Sequence, residues 1–190
     1  MNKLRLREAL QSLADVLEDR RIHARILIVG GAALLLHEGL QRPTQDVDVI
    51  AFSTGNERLR QSNELPQELA EAARDVAWMH GLDDDWLNTG ALGALNDLLP
   101  HLPVGFEDRA RTESFGNSLL VSVLDRQDLI RLKLYAAYDV GTGETHLADL
   151  VVMRITAGEL RDAATWIKKQ FPEPHLGLQE IVDVLERATS

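Results

Sequence analysis

Arg25-Ile26-Leu27-Ile28-Val29-Gly30-Gly31-Ala32-Ala33-Leu34-Leu35-Leu36 is the stretch on which the fold of this chain turns. Its first five residues form an aliphatic, partly β-branched strand, the glycine pair breaks it, and the alanine and leucine run that follows is helix-forming until Gly39 offers a stop. Pro43 prevents that helix from continuing. Beyond it, Asp46-Val47-Asp48-Val49-Ile50-Ala51-Phe52 alternates polar and apolar residues like a half-buried strand. Upstream, Leu4, Leu10, Leu13, Ala14 and Leu17 recur at helical spacing, so a packing helix ending near Arg20 and Arg21 comes first. The N-terminal part therefore reads helix, strand, helix, strand.

Working outward, Pro66 opens a helix that carries Leu69, Ala72, Ala73, Val76 and Ala77 on one face and meets its stop at Gly81. Asp83-Asp84-Asp85-Trp86 lacks the glycine and terminal glutamate of a calcium loop and reads as a solvated loop leading into a helix near Leu92. Ser118 to Leu124 is a further strand, after which Asp125 caps a helix whose third position is Asp128. Thr156-Ala157-Gly158-Glu159 has the form of a capping box, and a last packing helix lies near Ile181, Val184 and Leu185. These elements predict an α/β (α+β) core over residues 1–155 with C-terminal helices, 156–190, packed on it in a single compact unit.

The chain has 190 residues, 45% apolar and 26% charged, enough for one good core. It has no cysteine, which removes disulfides, thiolate metal sites and thiol nucleophiles together. No apolar run approaches the ~18 residues that span a bilayer, and the opening alternates charge with leucine too closely for a signal peptide. A cytoplasmic protein without membrane contact is the expectation. The net charge of -10 is unevenly placed: residues 44–108 hold thirteen acidic against three basic side chains, and the rest nearly balances. That middle surface repels polyanions and excludes non-specific nucleic-acid binding, whereas basic stretches near Arg109, Arg131 and Lys168 leave room for a specific nucleic-acid substrate.

Asp46 and Asp48 stand two apart on a strand, so both carboxylates leave one face, with Cα atoms roughly 6 to 7 Å apart. They can converge on one cation or a close pair, and hard oxygen ligands suit Mg²⁺ or Mn²⁺. Gly30-Gly31 ends a strand and opens a helix, exposing backbone N–H groups and the positive end of the helix dipole to a phosphate. The sequence there is not the G-x-G-x-x-G of a dinucleotide site. Arg131 and Lys133 lie about 200° apart on a helix, so one of them must face the interior or a cleft. His146 and Asp149 share a helical face. The scattered histidines lack metal-protease spacing, and no nucleophile elbow supports a serine hydrolase.

Taken together, Gly30-Gly31-Ala32-Ala33, Arg42-Pro43-Thr44-Gln45-Asp46-Val47-Asp48, Lys133-Leu134-Tyr135-Ala136 and His146-Leu147-Ala148-Asp149-Leu150 resemble bacterial nucleotidyltransferase-like proteins related to the toxins of AbiE and MenT type. The resemblance implies a polymerase-β-type nucleotidyltransferase fold: a mixed sheet flanked by helices with a helical C-terminal portion. It also implies that Gly30 and Gly31 hold nucleotide phosphates, Asp46 and Asp48 the metal, and Lys133 the triphosphate. Asp149 would be a candidate base at the catalytic rim, while Arg42 and Thr44 would support the phosphates or fix the loop. The implied reaction moves a nucleoside monophosphate from an NTP to a hydroxyl of RNA, such as tRNA, or of protein, and the implied partner is a cognate antitoxin or neighbouring gene product. Two departures stand out. The glycine pair replaces the more usual Gly-Ser, and Ser118 to Leu124 carries no third metal carboxylate, which leaves Glu107, Asp108 or Asp149 as replacements. A non-catalytic nucleotide-binding or interaction module of the same fold is the alternative reading.

Overall fold

Ala24–Val29 forms strand β1, and its aliphatic run is buried on both faces because it lies at the centre of a sheet. Val47–Thr54 (β2) pairs antiparallel to it on one side, and Leu119–Val123 (β5) pairs parallel on the other. The two-residue strand Leu87–Asn88 (β3) and Arg111–Phe115 (β4) complete a five-stranded mixed sheet of order β3-β2-β1-β5-β4. The computed structural model describes residues 1–36, 43–55, 57–90, 102–139, 144–170 and 177–189. The helix expected near Leu92 lies outside them.

By the density of their internal contacts the residues fall into two units, Met1–Pro100 with Gly105–Leu124, and His101–Val104 with Asp125–Ser190. In the first, helix α1 (Lys3–Asp19) is capped by Asn2, whose side chain accepts from the Arg5 amide at 2.9 Å. Leu6, Ala9, Leu10, Leu13, Ala14 and Leu17 are buried. Leu4, expected on that face, is 66% exposed, because it stands six residues before Leu10 and so about a third of a turn out of phase, whereas Leu6 is in phase. Arg7 pairs with Glu113 and lies 5.4 Å over the Phe115 ring, which puts α1 on the sheet face that carries Ile26, Ile28, Val121 and Val123. Helix α2 (Gly30–Leu36) leaves β1 directly. Helix α3 (Gln67–His80) follows Pro66 and stops at Gly81 in the left-handed region, with its five expected apolar residues buried.

Two elements of this unit carry no strong periodicity. Trp86 is fully buried, its indole N–H donating to Ala73 O at 2.8 Å, and its own carbonyl accepts from the Val47 amide at 2.6 Å, so the acidic run ends in an edge strand. The short helix α4 (Phe106–Arg109) leads into β4, whose exposed polar residues pair with β5 through a turn containing Gly116 at φ 55°.

The second unit is helical. Helix α5 (Arg126–Asp139) packs against α6 (Glu144–Val152), α7 (Ala157–Gln170) and α8 (Leu178–Thr189), so most of its circumference is covered. Asp125 Oδ1 accepts from the Asp128 amide at 2.7 Å, the cap that the sequence predicts. The capping box is present too: Thr156 N–H donates to Glu159 Oε2 at 2.8 Å and Glu159 N–H to Thr156 Oγ1 at 3.2 Å. The sheet flanked by helices, with a helical C-terminal portion, is a mixed α+β architecture of nucleotidyltransferase type. Among the described residues no helix is long and apolar enough to cross a membrane.

Candidate active site

At the end of β1 the chain turns at Gly30, whose φ of 69° is one that side-chain-bearing residues rarely adopt. A second demand falls on the same position. A Cβ built on Gly30 would collide with Asp48 Oδ2 and lie 3.2 Å from Asp48 Cγ, so the carboxylate occupies the space that the glycine leaves. Register explains the approach, since Asp48 is the cross-strand partner of Val29, the residue before the turn.

Gly31 faces a different neighbour. A Cβ there would stand 2.5 Å from Thr44 Oγ1 and 2.9 Å from Thr44 Cβ. That hydroxyl donates to the Asp46 carbonyl at 3.1 Å and lies 3.5 Å from Asp46 Oδ1, so Thr44 bridges the glycine turn to the loop that carries Asp46. The Met1 amino group bonds Thr44 O, and Met1 O accepts from the Thr44 amide at 3.0 Å. Asp46 and Asp48 are both half-exposed, while Val47 and Val49 between and after them are fully buried. The first unit thus gathers Gly30, Gly31, Thr44, Asp46 and Asp48 at one end of the sheet. Arg42 lies outside the described residues.

Lys133 and Asp149 meet in the second unit. Lys133 Nζ is 2.6 Å from Asp149 Oδ2, with the lysine 8% exposed and the aspartate fully buried. Of the two cations set 200° apart it is the lysine that faces inward, and Arg131, on the other side of α5, bonds the buried Asp128 at 2.6 Å. Arg131 and Lys133 are therefore both charge-paired. Glu107 lies 4.0 Å from the guanidinium of Arg25, and Asp108 is its neighbour on α4. At the β5 position facing the same side as Asp48 stands Ser122, bonded to Thr112 at 2.8 Å and to Arg25 at 3.3 Å.

Residues 4–142 match the family described as "Nucleotidyltransferase of unknown function (DUF6036)". The chain belongs to this family. The span takes in Gly30, Gly31, Thr44, Asp46, Asp48 and Lys133, and ends before Asp149. Comparison with curated proteins and with solved structures gave no significant match.

For a nucleotidyltransferase the donor set at Asp46 and Asp48 is chemically apt. Mg²⁺ keeps several waters and takes one or two carboxylates together with substrate phosphates, so two aspartates beside a glycine turn fit its needs. Among the described residues no group of three carboxylates or histidines gathers to hold an ion without substrate. The resemblance names Thr44 as a residue that would support the phosphates or fix the loop; what the sequence does not give is its contact with Gly31, which sets the hydroxyl between that glycine and Asp46.

Proposed function

We propose that this chain transfers a nucleoside monophosphate from an NTP to a hydroxyl of RNA or protein, with Mg²⁺ or Mn²⁺ held by Asp46 and Asp48. The observation that carries the reading is the seating of the Asp48 carboxylate against the bare Cα of Gly30, which makes the acid and the phosphate-accepting turn a single structure. When bound, the divalent ion neutralises charge on the α-phosphate and on the departing pyrophosphate. Gly30 and Gly31 present backbone N–H groups to the phosphates, and Thr44 keeps the Asp46 loop in place. The acceptor oxygen bonds to the α-phosphorus, the bond to the bridging oxygen breaks, pyrophosphate leaves with that electron pair, and the hydroxyl proton passes to solvent or a site carboxylate. Catalysis rests on positioning and charge neutralisation.

Lys133 is assigned to the triphosphate on the resemblance alone. Asp149, buried and bonded to that lysine, holds its ammonium in one place. A toxin role in the cytoplasm, with an antitoxin or neighbouring gene product as partner, likewise extends from the AbiE/MenT resemblance.

The test is incubation of the purified chain with each α-labelled NTP, Mg²⁺ or Mn²⁺, and total bacterial RNA and protein, beside Asp48→Asn. Label on RNA or protein with the unmutated chain alone supports transfer and identifies the acceptor class. A second reading, a nucleotide-binding module that has lost turnover, is favoured by the lack of a third acid among the described residues. NTP binding that needs Asp48 but leaves no label would select it, and absence of NTP binding would refute both.

A further inference from the structure

Where α6 ends and α7 begins, the surface of the second unit has an open pocket of about 560 Å³ that the nucleotidyltransferase reading does not use. Its walls include Val151, Ile155, Ala157 and Ala188, and two guanidinium-bearing residues, Arg154 and Arg161, line it as well. A volume of this size lies within the range of small-ligand sites. Arg154 has φ 48°, the left-handed conformation at a helix end that glycine ordinarily fills. An arginine kept there sits against its own backbone preference, and such outliers cluster where a side chain is needed.

The turn is held from behind. Arg126 donates to Met153 O at 2.8 Å and to Glu159 Oε1 at 2.7 Å, and Glu159 completes the capping box with Thr156. The acid at the start of α7 is thereby neutralised by Arg126. The Ala157 and Gly158 amides, in the first turn of a fourteen-residue helix, have no intrahelical acceptor. Arg154 has no carboxylate partner among the described residues, and Arg161 lies 3.6 Å from Glu186, a charge contact too long for a hydrogen bond. Cationic groups thus outnumber the one acid among the lining residues, beside the apolar side chains of Val151, Ala157 and Ala188.

We infer that this pocket binds the phosphate of a small phosphorylated ligand with an apolar face, of nucleoside monophosphate size, through Arg154 and Arg161. The phosphate takes the two guanidinium groups, and the flat body of the ligand lies against Val151. The site shares no residue with the glycine turn and aspartate pair, so it stands or falls independently of the proposed transfer activity.

The test is calorimetric titration of the full chain with AMP and with inorganic phosphate, in EDTA. The proteins compared are the wild type, Arg154→Gly, Arg161→Gln and Asp48→Asn. Arg154→Gly is the informative variant because glycine suits the backbone there, so its melting temperature should hold or rise while AMP affinity falls by about tenfold or more. AMP should bind more tightly than phosphate, and Asp48→Asn should bind AMP like the wild type. Equal AMP affinity in wild type and Arg154→Gly, loss of AMP binding in Asp48→Asn, or no binding by the wild type at millimolar concentration would each overturn the assignment.

Discussion

Replacing Gly30 with alanine asks two things of the structure at once, and a second glycine separates them. Gly30 has φ 69° and a carboxylate where its Cβ would go; Gly55 has φ 63° and nothing within 4 Å. The left-handed backbone alone costs an alanine about 1–2 kcal/mol, so Gly55→Ala should lose about that much. Gly30→Ala bears the same backbone cost plus the collision with Asp48 Oδ2, and overpacking of this kind adds about 1–3 kcal/mol if the carboxylate stays where it is. Asp48 is half-exposed, so where the carboxylate gives way part of that strain is relieved by moving the acid. The stability loss then shrinks, and the site is displaced instead. A shift of about 1 Å in a group that positions substrate can cost on the order of a hundredfold in rate.

Urea unfolding of wild type, Gly30→Ala and Gly55→Ala measures the first quantity, and Mn²⁺ titration followed by electron paramagnetic resonance, with and without NTP, measures the second. Gly30→Ala should be less stable than Gly55→Ala by about 1–3 kcal/mol, or else bind Mn²⁺ at least tenfold more weakly than Gly55→Ala does. Matching stability together with matching Mn²⁺ binding would refute the apposition of Gly30 and Asp48.

Three further outcomes concern buried or paired side chains elsewhere in the fold. Glu159 has its carboxyl lowered from 4.5 to about 2, first by the Arg126 hydrogen bond, so its stabilisation is fully present above pH 4.5 and is lost as pH falls through about 2. After discount for partial exposure we expect about 1–2 kcal/mol, read as a gap between wild type and Glu159→Gln in melting curves at pH 6 that closes by pH 2. Asp149→Asn strands the buried Lys133 ammonium and should cost about 3–5 kcal/mol in urea unfolding, whereas Lys133→Met with Asp149→Leu should recover most of it; an additive double variant would count against the pair. Trp86→Phe removes the bond to Ala73 O and leaves a gap under α3, for an expected loss of about 1–3 kcal/mol, and an unchanged unfolding midpoint would contradict the buried indole.

The sequence was legible where one physical demand dominated. The strand, glycine turn and helix at 25–36, the caps at Asp125 and Thr156, and the stop at Gly81 each follow from a local rule, and each is present. The strands β3 and β4 were not legible, because Leu87–Asn88 is too short to have a period and Arg111–Phe115 is an edge strand with mostly polar side chains. Gly116-Asn117 was the available signal for the second, marking a hairpin before Ser118. Val184, expected to pack, is 48% exposed while Val182 is buried, which is the same kind of phase error that misplaced Leu4. At the site, the aspartate pair and glycines could be named from sequence, whereas the contact of Asp48 with Gly30 depends on cross-strand register, a property of two segments at once.

That register contains a break which bears on why Asp48 faces the turn at all. Ala51 pairs with Leu27, but the next pair along is Val49 with Ile28, so Ile50 is an extra residue in β2. Ala51 and Asp48 are three apart and in an unbroken strand would face opposite sides; here they pair with Leu27 and Val29, which face the same side. Without the bulge, a β2 whose Ala51 and Phe52 keep their places would send Asp48 to the side that carries Ile26, Ile28 and α1. The bulge also explains why the polar-apolar alternation that marks Asp46 to Val49 stops at Ile50, with Ile50, Ala51, Phe52 and Ser53 all buried. A sheet optimised only for packing has no need of the extra residue, since an aliphatic side chain at position 48 would serve on the covered face. The irregularity and the left-handed glycine both act on the placement of the Asp48 carboxylate, while the loop threonine holds the neighbouring Asp46, and local costs gathered in this way are the kind that cluster at functional sites.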